Sequence, residues 1–171
     1  MRYLLLTNPK NKAFRMDTYS ASPEGTIMIE RTTKHDKEPF VALLRDLGGV
    51  PLVYLEDDLQ FTEYFESKLL QEIEKDPDVF TSFFCSRKEP TETKMLSPST
   101  FVLNLCLYMP VWFQQGILDF YDTASDEITG LHADTLIKAY LQSKKQKYKM
   151  VIPSLVQHVG SPWTAPSFKE V

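Results

Sequence analysis

The sequence has few of the features that mark secreted, membrane or nucleic-acid-binding proteins. It contains two cysteines in 171 residues, and its net charge is −4. No apolar run approaches the length of a membrane span, and the run Tyr3–Leu6 meets polar residues too soon for a signal peptide. These absences predict a soluble, cytoplasmic protein that has no membrane partner and keeps Cys85 and Cys106 as buried free thiols.

Glycine is also scarce, with six residues against eleven prolines, so we expect short, stiff connections. Hydrophobic residues make up 43% of the chain and aromatic residues 12%, which is typical of a globular protein rather than a disordered one. At this length a single domain is expected. We find no internal repeat and no low-complexity tract.

Positive charge is missing from the middle of the chain and concentrated near its end. Residues 101–137 contain no lysine or arginine, whereas five lysines fall between Lys138 and Lys149. This stripe is more typical of a solvated helix end than of a surface for a polyanion, although both interpretations are open.

Strand and helix patterns alternate along the chain and predict an α/β fold with a mostly parallel sheet flanked by helices. Predicted strands are Tyr3–Thr7, Thr26–Arg31, Leu52–Leu55, Val79–Cys85, Phe101–Tyr108 and Tyr148–Ile152. Predicted helices are Asp36–Leu47, Asp58 or Thr62 to Lys75, Pro110–Phe120 and His132–Gln142. We expect a loop or short irregular helix over 9–25, a flap-like loop over 86–100 and a coil-like tail from Pro153.

Three carboxylates, Glu56, Asp57 and Asp58, follow directly on the apolar strand Leu52–Leu55. Adjacent carboxylates at a buried strand end repel one another unless a cation binds them. Mg²⁺ and Mn²⁺ favour oxygen ligands, and open α/β folds bind ligands at the carboxyl ends of their strands. The pattern predicts a metal–diphosphate site, with an acidic helix cap as the alternative.

A second candidate site lies about a hundred residues later, where Pro153–Ser154–Leu155–Val156–Gln157 leads into His158. A neutral imidazole can complete a metal site begun by carboxylates, and Gly160 lets the backbone approach a phosphate closely. By itself, a histidine in this setting is more often structural than a metal ligand.

Together, Tyr54–Leu59 and Pro153–Gly160 resemble the two halves of the donor site in GT-A glycosyltransferases. The resemblance covers about residues 50–161, and is closest to the branching N-acetylglucosaminyltransferases and to small bacterial and phage enzymes. It implies a Rossmann-like single domain, with a nucleotide-binding half over 1–60 and an acceptor half and metal-ligand tail over 61–171.

The resemblance also implies a role for each residue. Asp58 and His158 would bind a divalent metal, Mn²⁺ or Mg²⁺, on the diphosphate of a sugar nucleotide. Glu56 or Asp57 would contact the ribose or hold metal-bound water. The remaining donor-binding residues would be Thr7, Asn8, Arg15 and Gly160.

An acid in the family's acceptor region corresponds to Asp134, which would deprotonate the acceptor hydroxyl. The alternative is that Asp134 only stabilises the first turn of its helix. His132, Asp126 and Glu127 compete for the role of base.

Compared with that family the chain is short, so we expect neither stem nor anchor, which suits a bacterium or a phage-infected host. An acceptor in keeping with this is a hydroxymethylated pyrimidine in DNA, bound by the Lys138–Lys149 stripe with Tyr140 and Tyr148. The alternatives are a nucleotidyltransferase using the same acids and a non-catalytic module that binds a sugar nucleotide or a partner.

Overall fold

A computed structural model describes residues 1–7, 16–30, 37–85, 91–102, 105–130 and 132–158, with only the backbone of 16 and 17. The strands are β1 (Arg2–Thr7), β2 (Ile27–Glu30), β3 (Leu52–Glu56), β4 (Leu59–Phe61), β5 (Thr81–Ser82), β6 (Lys94–Leu96), β7 (Cys106–Met109), β8 (Tyr148–Met150) and β9 (Val156–His158). The α-helices are α1 (Met16–Ala21), α2 (Lys37–Leu47), α3 (Phe65–Lys75), α4 (Val111–Thr123), α5 (Asp126–Thr129) and α6 (Ala133–Ser143).

Seven strands form one mixed sheet in the order β2–β1–β3–β7–β5–β8–β6. β1 pairs in parallel with β2 and β3, and β5 in parallel with β8. β7 runs antiparallel to β3 and β5, and β6 antiparallel to β8. Five strands therefore point the same way, and we call the edge where they end the carboxyl edge. The mostly parallel α/β domain predicted from the sequence is confirmed.

Alternating side chains of the central strands supply two separate cores, as the pleat of a strand requires. Leu4, Leu52 and Tyr54 face one core, which is completed by residues of α2, α4 and α6. Leu5 and Val53 face the other, which is completed mainly by α3. Helices thus cover both faces of the sheet, and this is why β3 is buried along its whole length.

The long helices form where apolar residues recur at helical spacing. In α3, Phe65, Leu69 and Ile73 are four residues apart and form its buried stripe. In α2, Phe40 and Leu44 do the same, and the backbone N–H of Gly48 donates to the Leu44 carbonyl where the helix ends. These helices lie where the sequence predicts them, within a few residues.

Of the two predicted starts of α3, Asp58 is wrong and Thr62 is close, because residues 59–61 form the strand β4 before the helix begins at Phe65. Phe61 lies four residues before Phe65, so it fits a helical stripe as well as an alternating strand. Antiparallel pairing with β9 fixes the extended form. Such a partner, almost a hundred residues away, outweighs the local pattern.

Other differences follow from the same competition between local pattern and distant pairing. Predicted strands over 79–85, 101–108 and 148–152 are shorter in the structure, at Thr81–Ser82, Cys106–Met109 and Tyr148–Met150. The predicted loop 86–100 contains β6 and a 3-10 turn at Pro98–Thr100, although 86–90 lie outside the described residues. Residues of the predicted tail form β9, and the connection after α4 contains α5.

Cys106 is a buried free thiol, and Cys85 is partly buried. In the part of the chain that the structure describes, no helix has both the length and the apolar character needed to cross a membrane.

Candidate functional site

The acidic residues lie at the carboxyl edge because β3 is locked into the middle of the sheet. Leu55 is paired with Leu5 of β1 on one side and with Cys106 of β7 on the other. The backbone N–H of Glu56 extends the pairing by donating to the Leu105 carbonyl over 3.0 Å. The chain then leaves the sheet. At this point Glu56 and Asp57 are buried, and the side chain of Asp58 is 20% exposed.

A buried tyrosine holds the first of these carboxylates. The Tyr54 hydroxyl donates to Oε1 of Glu56 over 2.6 Å, and the Tyr54 ring is fully buried against Phe40. Residues two apart on a strand share a face, so the Tyr54–Glu56 spacing was available as a signal in the sequence. Sequence reasoning assigned no role to Tyr54. Its hydroxyl fixes the orientation of the Glu56 carboxylate.

The carboxylates of Glu56, Asp57 and Asp58 are spaced so that they could share a cation. One oxygen from each lies within 4.8 Å of the others. Two ligands on one Mg²⁺ ion, at bonds of about 2.1 Å, are separated by at most about 4.2 Å. Neighbouring ligands of an octahedral ion are closer still, at about 3 Å, so binding by all three would need their oxygens to draw together around the ion, whereas two carboxylates with water ligands need less movement. This all-oxygen set is suited to a hard divalent cation.

The distant histidine lies beside these acids. β9 pairs antiparallel with β4, with His158 opposite Leu59. Nε2 of His158 lies 2.7 Å from Oδ2 of Asp58, and the two side chains are 17% and 20% exposed. The structure thus brings together the two motifs that the sequence analysis singled out, at a point that solvent reaches.

Backbone hydrogen bonds guide the chain from β8 to this point. The N–H groups of Val151 and Leu155 donate to the carbonyls of Ser82 and Phe83, which continues the pairing with β5. The Leu155 carbonyl then accepts from the backbone N–H and the hydroxyl of Thr62, each over 3.0 Å. The segment before His158 is therefore tied to the main sheet first and to the end of β4 afterwards.

Thr7 also lies at the carboxyl edge. It follows Leu6, which is paired with Glu56, and its hydroxyl donates to the Ile29 carbonyl over 3.3 Å. Asn8, Arg15 and Gly160, also predicted to bind the donor, lie outside the described residues.

Asp134 lies in the first turn of α6. Since α6 precedes β8, which runs in the same direction as β3, the helix begins at the carboxyl edge. Oδ1 of Asp134 accepts a 2.7 Å hydrogen bond from the backbone N–H of Thr135. The Thr135 hydroxyl donates to the His132 carbonyl, closing the turn. Asp134 and its competitor His132 thus share one helix start, and the Asp134 contact is one that a purely capping acid also makes.

The predicted DNA face is wrong in its aromatic part. Tyr140 and Tyr148 are buried in the core, at 3% and 0% exposure, so neither ring is available to stack on a base. Lys149 is also buried, where its ammonium contacts Glu72 at 2.9 Å and Asp76 at 2.8 Å. Lys144, Lys145 and Lys147 are exposed.

The chain matches no protein-family model and no curated protein at the level of sequence. Among solved structures it is similar to TarS 1-349 of S. aureus, a glycosyltransferase, with a TM-score of 0.51 and 9% identity. That alignment covers 88% of this chain and 60% of the TarS chain. The viral protein A197 from STIV aligns over 94% of this chain and 87% of its own, at 11% identity and a TM-score of 0.45. The similarity to TarS shows a glycosyltransferase-like fold.

Proposed function

We propose that this protein is a metal-dependent glycosyltransferase that moves a sugar from a nucleotide-diphosphate sugar to an acceptor hydroxyl. The observation that carries the proposal is the 2.7 Å contact between Asp58 and His158. It joins an acidic strand end and a histidine at the carboxyl edge, where open α/β folds bind their ligands. The glycosyltransferase-like fold is consistent with this use of the edge.

In this proposal Asp58 and His158 are the protein ligands of Mn²⁺ or Mg²⁺. When bound there, such a cation would supply positive charge to the departing diphosphate. Glu56 and Asp57 complete the site by holding metal-bound water or a ribose hydroxyl. The Tyr54 hydroxyl fixes the orientation of the Glu56 carboxylate for this contact. Carboxylates deliver this function best when neighbours fix their orientation, as the 2.6 Å hydrogen bond from Tyr54 does.

The donor occupies the end of β1 as well. Thr7 lies beside the acids, and Asn8, Arg15 and Gly160 are proposed to contact the nucleotide and its phosphates. On the acceptor side, Asp134 is the proposed base that takes the proton of the attacking hydroxyl. Its place at the start of α6, on the carboxyl edge, is consistent with that role.

The first experiment is a thermal-shift panel of nucleoside diphosphates and their sugars, each with and without Mn²⁺. A ligand that binds only the folded state raises the melting temperature according to its concentration relative to its dissociation constant. We expect metal-dependent stabilisation by one nucleotide and its sugar. Stabilisation by none of them would overturn the proposal.

The second experiment identifies the products formed with candidate acceptors, including DNA that carries hydroxymethylated pyrimidines. Release of a nucleoside diphosphate is the expected result. Release of pyrophosphate would instead indicate a nucleotidyltransferase. Donor binding with no turnover on any acceptor would favour a binding module.

A further inference from the structure

Lys37, the first residue of α2, is a buried lysine at the carboxyl edge. Its side chain is 1% exposed. Its ammonium donates to Oδ1 of Asp126 over 2.7 Å and to the Thr129 hydroxyl over 3.3 Å, and lies 5.6 Å from the centre of the Tyr121 ring. α2 begins at this edge because it connects β2 to the start of β3, and both strands run toward the edge.

Burying a lysine in this position has an unfavourable free energy of desolvation, so filling space does not explain its presence. Taking an ammonium out of water carries a large desolvation cost, and an apolar side chain of similar volume often serves stability equally well. Moreover, the Asp126 side chain is 84% exposed, so the lysine is the buried member of the pair. The contact makes better sense as a link between two elements, since it joins residues 89 positions apart.

The linked element, α5, has little to hold it in place by itself. It is one turn of four residues, far shorter than a helix that is stable alone. Ile128 in its middle is 59% exposed, so α5 does not bury an apolar face there. The Lys37 ammonium contacts both ends of the turn, at Asp126 and at Thr129.

The end of α5 packs closely against the first turn of α6. Gly130 ends α5 with φ +69°, and an added Cβ there would lie 2.5 Å from Oγ1 of Thr135. The same hydroxyl closes the first turn of α6, which contains Asp134. A shift of α5 therefore moves the start of α6 with it.

We propose that Lys37 is a positioning residue for the acceptor side of the site. By fastening α5 to the start of α2, it holds the first turn of α6, and with it Asp134, at the carboxyl edge. This inference rests on the proposed glycosyltransferase function for its effect on transfer. The tether itself does not depend on that function.

The test compares Lys37→Met with Lys149→Met. Both remove a buried lysine from contacts with carboxylates, but Lys149 joins β8 to the end of α3 and has no contact with α5. Hydrogen exchange over 124–137 is expected to accelerate at least about tenfold in Lys37→Met and to stay near the parent rate in Lys149→Met. Asp126→Asn, which alters only the exposed partner, should loosen the same residues and serves if Lys37→Met does not fold.

The second measurement is the activity of sugar transfer. We expect kcat/KM for the acceptor to fall on the order of 10- to 100-fold in Lys37→Met, since small displacements of catalytic groups have effects of this size. The metal-dependent shift with the donor should be unchanged, and Lys149→Met should transfer like the parent. Unchanged exchange over 124–137 overturns the tether, and faster exchange with parent-like transfer overturns the positioning role. A parent that transfers no sugar refutes the proposed function, and the exchange comparison then still decides whether Lys37 is a tether.

Discussion

His158 and Asp58 are one hundred positions apart in the chain, yet Nε2 of the histidine lies 2.7 Å from Oδ2 of the aspartate. The contact is produced by a two-stranded sheet, β4–β9, that stands beside the main sheet. Because β4 begins directly after Asp58, its pairing with β9 places the histidine at the end of β3. A donor site at this edge therefore depends on residues that are a hundred positions apart in the chain.

Replacing either residue of this pair should remove metal-dependent donor binding. For a donor at a hundred times its dissociation constant, binding stabilises by about 2.7 kcal/mol, or ~5–10 °C in melting temperature for a chain of this size. We expect Asp58→Ala and His158→Ala to lose the metal-dependent part of that shift. Without donor they should melt close to the parent, since both side chains are partly exposed.

Gln157→Ala is the matched control for this pair. Gln157 neighbours His158 in β9 and points to the opposite face of the strand. It should keep the full shift. If Asp58→Ala or His158→Ala responds to donor and metal as the parent does, that residue is not a ligand.

The two motifs that the fold brings together in the candidate site are recognisable in the sequence, and for a physical reason. Once α/β alternation is recognised, the apolar run Leu52–Leu55 predicts a central strand, and Glu56, Asp57 and Asp58 then fall at its carboxyl end. The main helices were equally visible, because stripes such as Phe65, Leu69 and Ile73 repeat at helical spacing. Both signals are local in the sequence.

Features that depend on distant partners were missed. β4 and β9 are three residues each, and neither carries a strand signal apart from the other. Nothing near Lys37 in the sequence marks it as buried, because Asp126 and Thr129, which surround its ammonium, are about ninety residues away. The prediction for the lysine stripe failed for a similar reason, since Tyr140 and Tyr148 lie within the stripe in sequence but belong to the core in the fold.

Tyr54→Phe should weaken the metal site without changing the shape of the core. The hydroxyl is lost from a buried hydrogen bond to a carboxylate, which lowers the free energy of unfolding by about 1–3 kcal/mol. Removing such an orienting contact should also weaken the metal-dependent binding of the donor about tenfold. Urea unfolding and a donor titration with Mn²⁺ measure the two effects.

Tyr108→Phe is the control that separates the effect on the free energy of unfolding from the effect on donor binding. The Tyr108 hydroxyl donates to the Pro77 carbonyl over 2.6 Å, and the Tyr108 side chain is buried, as that of Tyr54 is. Pro77 follows α3 at the opposite edge of the sheet. A comparable loss of stability with normal donor binding is expected, and equal weakening of donor binding in both variants would mean that Tyr54 has no specific role.

Gly130→Ala should destabilise the protein more than Gly25→Ala does. Both glycines have positive φ, +69° and +77°, so alanine is strained by about 1–3 kcal/mol at either position, and more at Gly130, whose ψ of −164° is essentially confined to glycine. Only at Gly130 does the new Cβ meet a neighbour, Oγ1 of Thr135 at 2.5 Å, whereas nothing lies within 4 Å at Gly25. We expect a further loss of about 1–3 kcal/mol for Gly130→Ala in urea unfolding. Equal losses would mean that the Thr135 side chain turns away freely.

The contacts of Lys149 should give the protein a defined sensitivity to acid. Burial alone raises the pKa of Glu72, but hydrogen bonds from Lys149 and Lys75 and their positive charges outweigh it and leave the pKa below its ordinary value of 4.5. A carboxyl whose pKa is lower in the folded state stabilises the fold above its unfolded pKa, and this stability is lost as the pH falls through the folded value. The contribution of Glu72 is therefore complete above about pH 4.5 and disappears below it.

At alkaline pH the dependence of stability on pH is opposite in direction, because the pKa of Lys149 is raised in the folded state rather than lowered. Burial alone lowers the pKa of Lys149, but hydrogen bonds to Asp76 and Glu72 and their negative charges raise it above 10.5. Its contribution is complete below about pH 10.5 and is lost as the pH rises through the folded value. We expect Lys149→Met to be less stable than the parent by about 1–3 kcal/mol at pH 7, and the gap to narrow below pH 4.5 and again at strongly alkaline pH. Urea unfolding of both proteins across this range measures the gap, and a difference that is constant with pH would show that the stability comes from packing of the lysine stem rather than from its charge.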